Sequence, residues 1–249
     1  MAHILTISCH KGGTAKTTTA ASLAGVLSGE RGQRVLLVDM DSTRNLTKTF
    51  TDGNFPRTVY DAFKDESALP VYEIRENLYI APAGRRMGEI DATFGSVPGW
   101  DSLLRDMLAL VRDSYDWIIV DTPTSQGICT MTALVAADYV LIPLSGDGYA
   151  ADGFAGVLNV INSVRRRSNR SLNILGVVQT RYNDRRKLDR LVTESLRENT
   201  PELLFNTKIR ECSAFGQAAL MRTDVCSFRP ACNGAVDTRA LADEIYSRM

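Results

Sequence analysis

The sequence predicts an α/β fold, a single domain built on a central, mostly parallel twisted sheet with helices on both faces. Three observations predict it. Short unbroken apolar runs end in carboxylates or turn residues, as parallel strands buried on both faces do. Helical patterns alternate with those runs along the chain. No repeat, low-complexity tract or linker interrupts the alternation, so residues 1–249 read as one domain.

Composition fits this class. The chain is 44% hydrophobic and 23% charged, with 29 basic residues balanced by 29 acidic ones. That is an ordinary soluble composition, long enough for one substantial core. No run approaches the roughly 18 apolar residues that cross a bilayer. The N-terminus has no basic region followed by an apolar stretch, so no secretory signal is expected. Five cysteines without CxxC spacing speak against a disulfide framework or a zinc site and for thiols in a reducing cytosol.

The elements follow in order. Residues 4–7 (ILTI) form a short buried strand. Gly12 and Gly13 then allow a tight turn, and Lys16-Thr17-Thr18-Thr19 opens a small-residue helix over 20–27 that stops at Gly29. Strand, glycine turn and helix start make a phosphate cradle of loop amides and a helix N-terminus. In it Lys16 supplies a point charge and the Thr17 hydroxyl can bind Mg²⁺. The loop residues Lys11, Gly12, Gly13, Thr14, Ala15, Lys16, Thr17 and Thr18 are the candidate nucleotide contacts.

Residues 34–41 (RVLLVDMD) read as a second buried strand ending in Asp39 and Asp41, which leave one face together. Beside a phosphate cradle, one of the two orients water or holds metal-bound water. An acidic cap on the following segment is the other reading. Residues 51–99 carry the least pattern. A short helix over 58–63, a strand over 78–84 and a surface loop over 85–99 are expected there. Residues 100–113 have helical spacing. Residues 115–123 (YDWIIVDTP) form a strand that delivers Asp121 to the carboxyl edge of the sheet, where such folds bind ligands. Behind a phosphate loop, Asp121 accepts from metal-bound water opposite Thr17. Strands over 138–144 and 172–180, helices over 149–164 and 186–198, an edge strand over 204–209 and a closing amphipathic helix over 235–249 complete the pattern.

The local motif is KGGTAKT rather than the common GxxxxGK[ST], with a lysine five residues ahead of the loop lysine. In this it resembles the deviant Walker A box, KGGxGK[ST], of the ParA/MinD family of P-loop ATPases, and most closely ParA-type partitioning ATPases. The resemblance makes Lys11 the signature lysine, Lys16 the P-loop lysine and Thr17 the magnesium ligand, with ATP and Mg²⁺ as cofactors. Ala15 departs from the pattern; its methyl is tolerable if φ stays negative. The family stretch DxDPQxN aligns on Asp39 to Asn45. Asp41 is thereby linked to water activation, and Ser42 and Thr43 replace its proline and glutamine.

Between Arg165 and Arg190 nine basic residues face only Asp184 and Asp189, among them Arg165, Arg166, Arg167, Arg185, Arg186 and Lys187. Such a concentration suits a phosphate backbone; two solvated helix ends are the alternative. By resemblance Arg185 falls on a DNA-contacting arginine, whereas Ala214 stands where a second is expected. The resemblance further implies an ATP-dependent homodimer in which Lys11 reaches the partner's phosphates, nonspecific DNA binding, and a ParB-like or other cargo adaptor that stimulates slow hydrolysis. It implies a cytoplasmic, nucleoid-associated protein with no membrane partner. A MinD-like membrane-cycling ATPase is the alternative, disfavoured because the last helix is needed by the core and nothing follows Met249. A nitrogenase-reductase-like cluster protein lacks a second suitable cysteine between Cys9 and Cys129. An ATP-dependent small-molecule ligase on the same fold is the remaining class.

Overall fold

The computed structural model describes residues 1–146 and 150–249. Eight strands form one sheet in the order β3-β4-β2-β5-β1-β6-β7-β8. They are β1 (His3–Ile7), β2 (Val35–Asp39), β3 (Tyr72–Arg75), β4 (Leu78–Ala81), β5 (Trp117–Asp121), β6 (Tyr139–Ser145), β7 (Asn173–Tyr182) and β8 (Leu204–Arg210). All neighbours pair in parallel except β3, which runs antiparallel on β4 at one edge. The expected edge strand is β8, at the other.

Alternation along each central strand feeds two cores. Ile4, Leu36, Val38, Ile118 and Val120 face one side, against α3 (Val59–Asp65), α4 (Ile90–Phe94), α5 (Leu103–Ala109), α6 (Ile128–Ala136) and α7 (Ala150–Arg167). Leu5, Ile7, Val35, Leu37, Trp117 and Ile119 face the other, against α1 (Lys16–Gly25), α2 (Asn45–Phe50) and α11 (Asn233–Arg248). With both faces covered, the central strands are apolar throughout, which is why they were legible as unbroken runs. The helix expected over 149–164 is α7; its expected first residue, Tyr149, lies outside the described residues. Helix α8 (Lys187–Asn199) follows β7, and α9 (Ala214–Leu220) and α10 (Val225–Phe228) follow β8.

Two expectations are corrected. Gly29 does not stop the first helix: α1 widens into a π-helical turn over Val26–Glu30, and the chain reverses at Gly32 with φ +63°. Residues 85–99 are not a plain loop. Arg85–Glu89 make a 3₁₀ turn and α4 follows, with Met87, Ile90 and Phe94 buried. Their spacing of three and four is helical, but surrounding glycines mask it.

The far end of α1 is pinned. A Cβ at Gly25 would lie 2.2 Å from Asp224 Cγ. Asp224 is buried, accepts the Cys226 and Ser227 amides at 2.9 Å as the cap of α10, and pairs with Arg75 of β3 at 2.7 Å.

Candidate functional site

Strand register assembles the site. Ile7 and Asp39 are both Cα partners of Asp121, so β1, β2 and β5 end together at the carboxyl edge of the sheet. The loop that leaves β1 crosses this edge and enters α1. Gly13 takes φ +76° and Ala15 φ +61°. The condition under which the Ala15 methyl is tolerable, a negative φ, is not met: Ala15 occupies the left-handed conformation that glycine adopts freely and alanine at a cost. As the N-cap of α1, Ala15 offers no side-chain cap, which leaves the first-turn amides to an anion.

Lys16 is 7% exposed, and its Nζ donates to the carbonyls of Cys9 at 2.9 Å and Lys11 at 3.2 Å. Its ammonium is thereby folded back along the loop it would serve. Burial lowers its pKa, opposed by the charges of Cys9, Asp121 and Asp41. Thr17 Oγ1 donates to Asp121 Oδ2 at 2.7 Å. Asp121 is wholly buried; burial first, then the neighbouring Asp39, pushes its carboxyl well above the usual range. Its Oδ1 is buried without a hydrogen-bond partner. An unpartnered carboxylate oxygen beside a threonine hydroxyl fits an Mg²⁺ ion carrying its own waters, since Mg²⁺ is bound through one or two protein groups plus phosphates. Among the described residues no cluster of three His, Cys, Asp or Glu could hold a metal alone.

The two aspartates after β2 differ. Asp39 is buried and accepts from the Thr47 amide at 2.8 Å, the Thr47 hydroxyl at 2.7 Å and the Asp41 amide at 3.1 Å. It is consumed in bracing the turn into α2, and burial raises its pKa to about 6. Asp41 is half-buried; its Oδ1 accepts the Thr43 amide at 2.8 Å, and its charge is felt by Lys16 and Asp121. Of the two, Asp41 is the one left accessible beside the cradle, while Asp39 serves the turn into α2. Lys11 is half-buried next to the exposed Gly12 and Gly13; Thr14 is buried and Thr18 half-buried.

A cavity of about 600 Å³ opens beside the loop, lined by Gly13, Ala15 and Thr18 on one side and by Arg181, Glu211, Cys212 and Phe215 on the other. Arg181 lies at the end of β7 and the other three follow β8; none carries a motif, and sequence reasoning missed them as cavity lining. Arg181 sits at φ +52°, with its guanidinium 3.8 Å from where a Cβ would stand on Gly13. A non-glycine residue held at such a dihedral is often found in a binding site, but that signal exists only in the fold. Size and position suit a nucleoside.

The basic window does not form one patch. Arg165, Arg166 and Arg167 end α7, next to the start of β7, whereas Arg185, Arg186 and Lys187 follow its end. The ten residues of β7 hold the groups roughly 30 Å apart. All six are exposed. Arg186 pairs with Glu211 at 2.7 Å, and Glu211 also lies 3.8 Å from Arg181, so the second group adjoins the cavity.

Comparison with known proteins gives a consistent picture. A family model described as an AAA domain matches residues 2–174. The chain is 33% identical to the chromosome-partitioning ATPase Soj of Thermus thermophilus over 239 residues, covering 96% of this chain and 93% of that protein. It is 33% identical to the chromosome partitioning protein ParA of Myxococcus xanthus over 232 residues, covering 88% and 81%. Among solved structures, cobyrinic acid a,c-diamide synthase of Mycobacterium smegmatis with a bound ATP analogue and magnesium superposes with a TM-score of 0.86. Its identity is 29%, over 98% of this chain and 93% of that one.

Proposed function

The chain belongs to the ParA/MinD-type family of P-loop ATPases, and from that premise we propose that it is a partitioning ATPase using ATP and Mg²⁺. The observation that carries the proposal is the Thr17–Asp121 pair beside Lys16, half-buried at the threonine and wholly buried at the aspartate, with one Asp121 oxygen left for a water on the metal.

The residues divide the work. The loop amides from Gly12 to Thr18 and the N-terminus of α1 bind the phosphates. Lys16 exchanges its bonds to the Cys9 and Lys11 carbonyls for phosphate oxygens. Thr17 and Asp121 hold the metal site, and bound Mg²⁺ neutralises charge on the phosphates. Asp41, accessible and close, orients the attacking water, whose oxygen bonds to the γ-phosphorus as the bond to the leaving diphosphate oxygen breaks. The cavity lined by Arg181 and Phe215 takes the nucleoside.

In this reading ATP bridges two copies of the chain, and Lys11 of one reaches the phosphates of the other. The dimer binds DNA without reading sequence, through Arg185, Arg186 and Lys187 on the face beside the cavity. Arg165, Arg166 and Arg167 form a separate contact. A cargo adaptor, ParB-like or otherwise, accelerates a slow intrinsic hydrolysis, and the protein resides on the nucleoid in the cytoplasm. Among the described residues no helix is long and apolar enough to cross a membrane. The experiment is Mg²⁺-dependent ATP turnover measured alongside sedimentation velocity, with and without ATP. Absence of both turnover and ATP-dependent association refutes the reading. The similarity to an amide synthase favours one second reading, activation of a carboxylic acid by ATP; turnover with no acid present excludes it.

A further inference from the structure

Residues 85–94 form a strap between the loop after β2 and the loop after β5. They bury Met87, Ile90 and Phe94 and leave Asp91 exposed. Asp91 Oδ1 accepts a hydrogen bond at 2.6 Å from the amide of Ile128, the first residue of α6. Gly127, before it, has no side chain with which to cap that helix. Gly127 has φ −76°, a conformation open to any residue. Space is what demands glycine there, because a Cβ would stand 2.2 Å from Asp91 Oδ2. Cap and glycine are a matched pair.

The loop closed by this bond, residues 122–127, follows Asp121 directly and is tied on its other side to the phosphate loop. Thr122 Oγ1 donates to the Ile7 carbonyl at 2.9 Å. The Gln126 amide nitrogen lies 3.0 Å from His10 Nδ1, and the Thr124 methyl lies 3.9 Å from where a Cβ would stand on Gly12. The same strap meets the loop after β2, where a Cβ on Gly88 would stand 3.6 Å from Ser42 Cβ, next to Asp41. Residues 85–94 thus bridge the two loops that adjoin the carboxylates.

We propose that Asp91 is a positioning residue for ATP hydrolysis: by holding the Ile128 amide it sets loop 122–127 against the phosphate loop. The inference rests on the ATPase reading above. A carboxylate at a helix N-terminus satisfies an otherwise orphaned amide and the positive end of the helix dipole. Lys16 and the cavity hold the nucleotide without Asp91, so its loss falls on turnover and leaves affinity unchanged.

The test uses the full chain. Asp91→Ala lowers kcat for ATP about tenfold, the effect of roughly one lost capping bond expressed on the transition state, while affinity for a fluorescent ATP analogue stays at the wild-type value. Asp91→Asn, whose amide oxygen still accepts from Ile128, recovers most of the rate. In nucleotide-free protein, backbone hydrogen exchange over residues 122–128 accelerates in Asp91→Ala and is restored in Asp91→Asn. Gly127→Ala reproduces the defect alone and adds nothing to Asp91→Ala. Unchanged exchange in Asp91→Ala, a wild-type kcat in that variant, or an Asp91→Asn protein no better than Asp91→Ala overturns the proposal. A wild-type chain without ATP turnover overturns the ATPase reading instead, and exchange then still decides whether Asp91 holds the loop.

Discussion

Thr17 Oγ1 donates to Asp121 Oδ2 at 2.7 Å, joining the first turn of α1 to the end of β5 across 104 residues of chain. The bond exists because β1 and β5 are parallel neighbours in register, so whatever leaves β1 passes over the end of β5. It sets a hydroxyl and a carboxylate side by side at the mouth of the phosphate loop, the pair that would hold Mg²⁺ in the proposed function.

Lys16→Ala is expected to abolish ATP binding. The ammonium is buried and donates to the carbonyls of Cys9 and Lys11, which phosphate oxygens would replace. Truncating one partner of a buried charge pair costs about 2–5 kcal/mol, roughly 30-fold or more in affinity. Calorimetric titration checks this, and wild-type affinity would remove the site.

Lys11→Ala should leave ATP affinity near wild type yet stop ATP-dependent dimerisation and hydrolysis. The Lys11 backbone carbonyl, which receives Lys16 Nζ and the Thr14 hydroxyl, survives the substitution. Normal turnover and association by light scattering would show that Lys11 acts within one chain or not at all.

Ala15→Gly is expected to stabilise the protein. At φ +61° alanine carries a strain that glycine lacks. Glycine's freer unfolded chain offsets part of that gain, leaving about 0.5–1 kcal/mol. A chain of this size would show it as a rise of ~1–4 °C in Tm. A lower Tm by calorimetry would contradict the strain.

Stability should fall as pH rises from about 4 to 6. Burial raises the Asp39 pKa from 3.8 to about 6, so in this window the folded state binds more protons than the unfolded one. The contribution is complete below the unfolded value and lost as pH rises through about 6, with an upper limit of about 3 kcal/mol. Asp121 shifts in the same direction, first through burial and then through Asp39. Denaturant titrations at several pH values should give a shallower decline for Asp39→Asn than for wild type. Parallel curves would refute the assignment.

Arg185→Glu should weaken DNA binding and reduce its dependence on salt by about one counterion. Arg166→Glu, at the other end of β7, should act independently of it, because the two groups share no surface. Gel-shift titrations of the single and double variants read this as additivity; an unaltered titration for Arg185→Glu would leave that group a solvated face.

How much was legible follows from burial. Strands β1, β2, β5, β6 and β7 are covered on both faces, so their apolar runs are visible without neighbours. Lys11, Lys16 and Thr17 are local in sequence and needed no fold. Helix α6 was invisible for the opposite reason: eight of its nine residues are buried, leaving no polar face to give a period. The cavity wall from Arg181 to Phe215 was equally hidden. Its residues converge only because β7 and β8 end beside α1, and nothing in their local spacing records that. The division of the basic window into two groups was also hidden, because the ten-residue strand between them sets apart in space what is adjacent in sequence.

Gly25 and Asp224 carry a mechanical consequence. With the Asp224 carboxyl filling the space beside Gly25 and itself gripped by Arg75 from the sheet margin, α1 is bolted at the end remote from the phosphates. Sliding or rolling of the helix would drive its backbone into that carboxylate and strain the ion pair behind it. A bulkier residue at Gly25 would therefore act as a wedge, felt along the whole rod.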